Sequence, residues 1–264
     1  MNAISDVVNN RPAPLREFDQ IYMKTADMLL HAEHASRCFE NRRVVFVGDG
    51  DAIGLCLVHL KKLDLLPQGP ASVHILDFDE RVVLSVRHFA KKFETQDVVT
   101  AELYNVAEPL PESHWHQFDA FHTNPPFGQS NGGRSIEVFL TRCFEAVGGD
   151  AIGCAVLADD RSYPWTQEVL ARTQRWLLDH EWFISELLPE FHNYHLDDAP
   201  DLKSCSLVIR RSCTVSQKYE STRLEPYMME NFYGMNSPLR VRYVRDKTNG
   251  GKLVSNDHYL EAFE

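Results

Sequence analysis

Three short blocks hold the residues best suited to chemistry. The first is Asn124-Pro125-Pro126-Phe127-Gly128, at the end of a run over residues 118–123. Each proline fixes φ and lacks an N–H, so neither a sheet ladder nor a helix interior continues through this block. Asn124 precedes a proline and is held extended. A carboxamide and neighbouring carbonyls then project from a strand end on a stiff backbone, with Phe127 supplying a flat face. That arrangement suits an amine nitrogen, which needs acceptors for its protons and a ring beside the carbon or cation. The plainer reading is a rigid turn with a core phenylalanine. The second block is Gly48-Asp49-Gly50-Asp51, directly after the apolar run 44–47. Its glycines permit close backbone approach, and its two carboxylates oppose a pyrophosphate while favouring a sulfonium, a ribose hydroxyl or an ammonium. A helix N-cap is the competing reading for Asp51. The third is Asp77-Phe78-Asp79-Glu80 after the run 72–76. An acidic residue some 20–30 positions after a glycine turn, at the end of the second strand, is where a ribose diol is held. Asp77 is the candidate, and Asp79 or Glu80 starts the next helix.

These blocks need strand ends to carry them. Residues 44–47, 72–76, 98–103, 118–123, 151–158, 182–188 and 206–210 read as seven strands, separated by helical spacing over 81–93, 135–147 and 165–178. Alternation of strand and helix predicts an α/β fold with a mostly parallel sheet and helices on both faces. Residues 1–15 are polar with two prolines and predict a mobile or draped arm. Helical spacing follows over 18–39, with Thr25 as a cap. Residues 129–133 read as a flexible lid or a plain surface loop, and 189–198 as a polar, acidic loop. A hairpin of 241–244 with 252–254 is expected near the C-terminus. The chain divides into an N-terminal arm and helix (1–40), a Rossmann-like catalytic domain (41–212) and a C-terminal extension (213–264).

The 264 residues are 44% hydrophobic, enough for a full core, and carry a net charge of −11. An acidic chain is a poor match for a polyphosphate and a good one for a polycation. The six cysteines form no CxxC pair or zinc-type spacing, so no metal is expected. No secretory signal and no apolar run near 18 residues is visible, which predicts a cytoplasmic protein without a membrane partner.

The ordered blocks carry a resemblance. Asp19-Gln20, 45–51, 75–79, Tyr104-Asn105-Val106 through Glu112, 118–126 and 138–142 together resemble the catalytic domain of the branched-chain polyamine synthase, or N4-bis(aminopropyl)spermidine synthase, family. The resemblance implies a class I S-adenosylmethionine-dependent transferase fold. It also implies aminopropyl transfer from decarboxylated S-adenosylmethionine to a polyamine nitrogen. Where that family has Gly-Asp-Asp-Asp and Asp-Pro-Pro, this chain has Gly-Asp-Gly-Asp and Asn-Pro-Pro. Asn-Pro-Pro-Phe-Gly also looks like the amino-methyltransferases that use S-adenosylmethionine on an adenine N6 amine of RNA or DNA.

The reaction common to both is alkyl transfer from an adenosyl-sulfonium donor to an amine. Gly48, Asp49, Gly50, Phe78 and Asn105 would line the donor and Asp77 its ribose. Asn124 with the Pro125 carbonyl would hold the attacking nitrogen, flanked by Phe127. Asp51 or Asp159 would help remove its proton, and Asp160, Asp197 and Asp198 would attract a cationic acceptor. Charge favours a small cationic amine over nucleic acid. A homodimer is left open, and the remaining alternative is a non-catalytic ligand-binding relative.

Overall fold

The computed structural model describes residues 2–194, 196, 201–212, 220–248 and 257–263. Helices α1 (Asn2–Asn9) and α2 (Thr25–Cys38) precede β1 (Arg43–Val47), α3 (Ile53–Lys62), β2 (Ser72–Asp77), α4 (Glu80–Lys92), β3 (Val99–Leu103) and β4 (Phe118–Thr123). Then follow α5 (Arg134–Ala146), β5 (Val147–Ala158), α6 (Pro164–Asp179), β6 (Trp182–Asn193) and β7 (Lys203–Arg211). A one-turn helix α7 (Pro226–Met229) and the strands β8 (Val241–Asp246) and β9 (His258–Ala262) complete the described chain.

The main sheet runs β3-β2-β1-β4-β5-β7-β6. The pairs from β3 to β5 are parallel, and β7 is antiparallel to both its neighbours. This is the class I S-adenosylmethionine-dependent transferase fold. The period-two alternation of strands explains its two cores. On β1, Val44 and Phe46 face one core and Val45 and Val47 the other, all fully buried. The first core packs α1 to α4 against one face of the sheet, and the second packs α5, α6 and the C-terminal segment against the other. With β1 central, the strand order reverses between β1 and β4, and a crevice opens there at the carboxyl ends of the strands.

Several expectations change. Residues 1–15 are no loose arm: Ala3, Ile4 and Val7 of α1 are buried in the first core, an apolar face masked by the polar residues around it. Thr25 is the first helical residue rather than a cap, and the cap position, Lys24, offers no side-chain bond. Residues 129–131 form a 3-10 turn closed by the Gly133 N–H on the Gly128 carbonyl at 2.9 Å. The segment after Leu188 continues as strand to Asn193, its register shifting between Leu188 and His192. The partner of β8 is β9, and residues 252–254 lie outside the described residues. Among the described residues no helix is long and apolar enough to cross a membrane.

Candidate functional site

The crevice holds an open cleft walled by the ends of β1, β2, β3 and β4. Gly48 through Asp51 line it, as do Asp77, Phe78, Asn105 and Asn124 through Phe127. Three of the sequence blocks therefore meet on one surface. Gly48 turns the chain out of β1 at φ +73°, a region that favours glycine. Gly54 lets α3 descend onto β2: a Cβ there would sit 2.9 Å from Asp49 Oδ2 and 3.0 Å from Val73.

The two aspartates of the glycine turn divide their work differently from the expectation. Asp49 is the helix-capping residue. Its Oδ1 and Oδ2 accept the Ile53 and Gly54 N–H groups, each at 2.9 Å, so its carboxyl serves the start of α3. Burial pushes its pKa well up, against those two bonds. Asp51 does not cap. Its Oδ1 accepts the Met23 N–H at 2.7 Å and its Oδ2 accepts the Asn124 amide at 2.8 Å. Arg11 lies 3.8 Å from Oδ1, its guanidinium over the Tyr22 ring, so the segment after α1 supplies Asp51's counter-ion. Burial raises the Asp51 pKa, and the Met23 N–H, Arg11 and Asn124 hold it back. The Asn124 amide orientation follows from this. With Nδ2 given to Asp51, Oδ1 is the atom that remains for an amine proton.

Asp77, at the end of β2, accepts the Asp49 N–H on Oδ2 at 3.0 Å and the Asp79 N–H on Oδ1 at 2.9 Å. A carboxylate has about four acceptor sites, so room remains for two hydroxyls. Asp79 is wholly buried, caps α4 and is held by Arg81 Nε and Nη2 at 2.9 and 2.6 Å, as the sequence expectation for a helix start required. Asn105 lines the cleft, but its amide is engaged elsewhere. Nδ2 donates to the Val241 and Arg242 carbonyls at 3.1 and 2.6 Å, and Oδ1 accepts the Ala107 N–H. It pins β8 against the loop after β3.

Phe127 packs edge-on to Tyr194 at 5.8 Å, and its N–H donates to Asp19 Oδ2 at 3.3 Å. Asp19, Gln20 and Tyr22 line the cleft from the segment before α2, and Tyr233 from the C-terminal segment. Phe18, Phe78 and Tyr233 form an aromatic trio, with ring centroids 5.4 to 6.3 Å apart. Of these, Phe78 is among the donor-lining residues expected from the sequence, whereas Phe18, Asp19, Gln20, Tyr22 and Tyr233 are not. The Asp19-Gln20 block was a usable signal, whereas Tyr233 lies 155 positions from Phe78 and gave none. A second, open pocket shares Asp19, Ile21, Phe127 and Tyr233 with the first and extends past Tyr163 and Trp165.

Asp159 and Asp160 stand outside both cavities. Asp159 accepts the Gln167 amide and the Glu190 N–H at 2.7 and 3.0 Å, tying β5 to α6 and β6. Asp160 accepts the Ser162 N–H at 2.8 Å in the turn before α6. The local tasks of a strand end and a helix start use both carboxylates. Asp197 and Asp198 lie outside the described residues.

Comparison with known proteins gives a consistent set. The family model for the branched-chain polyamine synthase A C-terminal domain matches residues 1–256. N(4)-bis(aminopropyl)spermidine synthase of Thermus thermophilus is 30% identical over 186 residues, 70% of this chain and 50% of that protein. The enzyme of the same name from Thermococcus kodakarensis is 27% identical over 159 residues, 59% of this chain and 41% of that protein. The chain thus spans about half the length of the curated relatives it matches or less. Among solved structures, branched-chain polyamine synthase from Thermus thermophilus, in complex with N4-aminopropylspermidine and 5'-methylthioadenosine, superposes with a TM-score of 0.68. It is 24% identical, with 84% of this chain and 67% of that one covered.

Proposed function

We propose, from the premise that this chain belongs to the branched-chain polyamine synthase A C-terminal domain family, that it transfers an aminopropyl group from decarboxylated S-adenosylmethionine to a polyamine nitrogen. One observation carries the reading: a ribose-type carboxylate, Asp77, and an amine-type acceptor, Asn124, share one cleft on either side of the glycine turn. The relative solved with methylthioadenosine and an aminopropylated spermidine supports both ligand classes.

In this reading the adenosyl donor lies against Gly48 and Gly50, its ribose hydroxyls donate to Asp77, and the aromatic trio covers it. The acceptor enters from the second cavity, across Asp19, Phe127 and Tyr233. A neutral amine, held by Asn124 Oδ1 and the Pro125 carbonyl, attacks the propyl carbon in line with the C–S bond. The new N–C bond forms as the electron pair of C–S goes to sulfur, leaving neutral methylthioadenosine. The ammonium product sheds one proton. Asp51 acts on this site through Asn124, whose amide it holds at 2.8 Å so that Oδ1 faces the amine. The protein's work is to orient the two reactants and exclude water.

The test is calorimetry with methylthioadenosine, decarboxylated S-adenosylmethionine and S-adenosylmethionine, followed by mass spectrometry after incubation with spermidine. The expected product is heavier than spermidine by one or more aminopropyl groups. Binding of S-adenosylmethionine alone, with methyl transfer to RNA or DNA, would establish the amino-methyltransferase reading that the asparagine at 124 favours. No adenosyl binding at all would leave a non-catalytic relative.

A further inference from the structure

We infer that His31, His122 and Cys154 form a binding site for a thiophilic transition-metal ion, Zn(II) or Cu(I), beneath the floor of the cleft. The backbone places them together. His122 on β4 and Cys154 on β5 are register partners, so their side chains share one face of the sheet. That face belongs to the first core, where α2 packs and from which His31 descends. One ligating atom of each residue lies within 4.8 Å of the others, and the three are 0 to 1% exposed.

The surroundings are built for orientation. His31 Nδ1 is 3.0 Å from His192 Nε2, and His192 Nδ1 is 2.8 Å from the Ser204 hydroxyl. If each ring donates outward along this chain, the lone pair of His31 Nε2 is left facing His122. A partner on the far nitrogen is how metal-ligating histidines are held. Cys154 Sγ is steadied by Ser206 Oγ at 3.2 Å. His122 Nδ1, the ring nitrogen turned away from His31, is buried with no hydrogen-bond partner whether or not an ion is bound at Nε2. Ion uptake forms the metal–sulfur bond in place of the S–H bond and releases the thiol proton to solvent.

The Nε2 atoms of His31 and His122 are 2.8 Å apart, a hydrogen bond. Two metal–nitrogen bonds of about 2.0–2.1 Å in tetrahedral geometry need roughly 3.3 Å, so the rings open by about half an ångström on binding. One thiolate and two neutral imidazoles give a neutral complex with Cu(I) and a singly positive one with Zn(II), which in a buried site favours Cu(I) or a hydroxide-bound Zn(II). His122 also lines the cleft, so a bound ion would lie directly against its floor.

The test uses untagged protein. Metal content is measured as purified by plasma mass spectrometry. After chelation the protein is titrated with Co(II), and separately with Cu(I) against a chromophoric competitor. One ion per chain is expected, with a thiolate-to-Co(II) absorption band. Cys154→Ser should lose both while keeping the wild-type circular dichroism. Cys38→Ser, in the separate His34–Cys38–Glu186 group, should keep both. His31→Gln gives a second route to the same loss if Cys154→Ser folds poorly. Wild-type protein that holds no ion and shows no band at millimolar Co(II) would overturn the proposal and leave a buried polar network. So would a Cys154→Ser variant that retains the ion.

Discussion

Asp77 is where pH should act on the donor end of the cleft. Burial, reinforced by the charge of Asp79, pushes its carboxyl up to about 7, against the pull of two backbone N–H groups. Ribose hydroxyls donate well to a carboxylate and poorly to a carboxylic acid. With that value, the ionised fraction falls from about nine-tenths at pH 8 to about one-tenth at pH 6. Affinity for methylthioadenosine, which has no group titrating in this range, should fall about tenfold across it. Replacing the charge in Asp77→Asn removes about 1 kcal/mol or more from each of two hydrogen bonds, which corresponds to roughly thirtyfold weaker binding. The variant's affinity should also be flat with pH. Calorimetry at pH 6, 7 and 8, in two buffers of different ionisation enthalpy, reads both effects. Binding below pH 7 should release a proton. A wild-type Kd independent of pH, or an Asp77→Asn protein with unchanged affinity, would refute the assignment of Asp77 to the ribose.

The same shift has a stability consequence of opposite sense. The folded pKa lies above the ordinary carboxylate value. Between about pH 4 and 7 the folded ligand-free protein therefore keeps a proton that the unfolded chain has shed. This contribution is greatest below about pH 4 and is lost as pH rises to about 7, by at most about 4 kcal/mol. Ligand binding offsets it at neutral pH.

Three further outcomes are expected. Asn124→Asp would put two carboxyls 2.8 Å apart. They must then share a proton, so the acid limb of the kcat/KM profile should move toward neutral pH while methylthioadenosine affinity is kept. Arg11→Met leaves Asp51 without its cationic neighbour and should cost about 2–3 kcal/mol in urea unfolding, with faster proteolysis after α1; a loss under about 0.5 kcal/mol would make the pair incidental. Asp49→Ala strands two N–H groups at the start of α3 and should cost about 1–3 kcal/mol, whereas Asp159→Asn should leave transfer kinetics within about twofold, since Asp159 lies outside the cleft.

The sheet was legible because its signals are local. The alternation of apolar runs with helical spacing predicts the strands and the crevice, and the run 44–47 behaves as a strand buried on both faces. Asp77 and Asn124 sit at strand ends that the pattern marks. The division of labour between Asp49 and Asp51 was not legible. Asp51 is the nearer to the start of α3, and only the three-dimensional course of Met23 and Asn124 takes its carboxyl away from the cap. Asn105 reads as a ligand residue because the β8 carbonyls it holds lie over 130 positions away. Cysteine spacing gave no metal pattern because His31, His122 and Cys154 meet only through β4–β5 pairing and the packing of α2.

The aromatic trio joins Phe18 from one chain end to Tyr233 near the other, over Phe78. The sheet strands up to β4 and the glycine turn are made well before the segment that carries Tyr233, so the cleft lacks that wall until this segment emerges. A nascent chain therefore has the scaffold of the cleft well before it has a closed one, with β8 docking on Phe78 and Asn105 still later. Competence to capture the donor is thereby tied to synthesis of the segment that carries Tyr233, and chains that stop short of it should compete poorly for the donor.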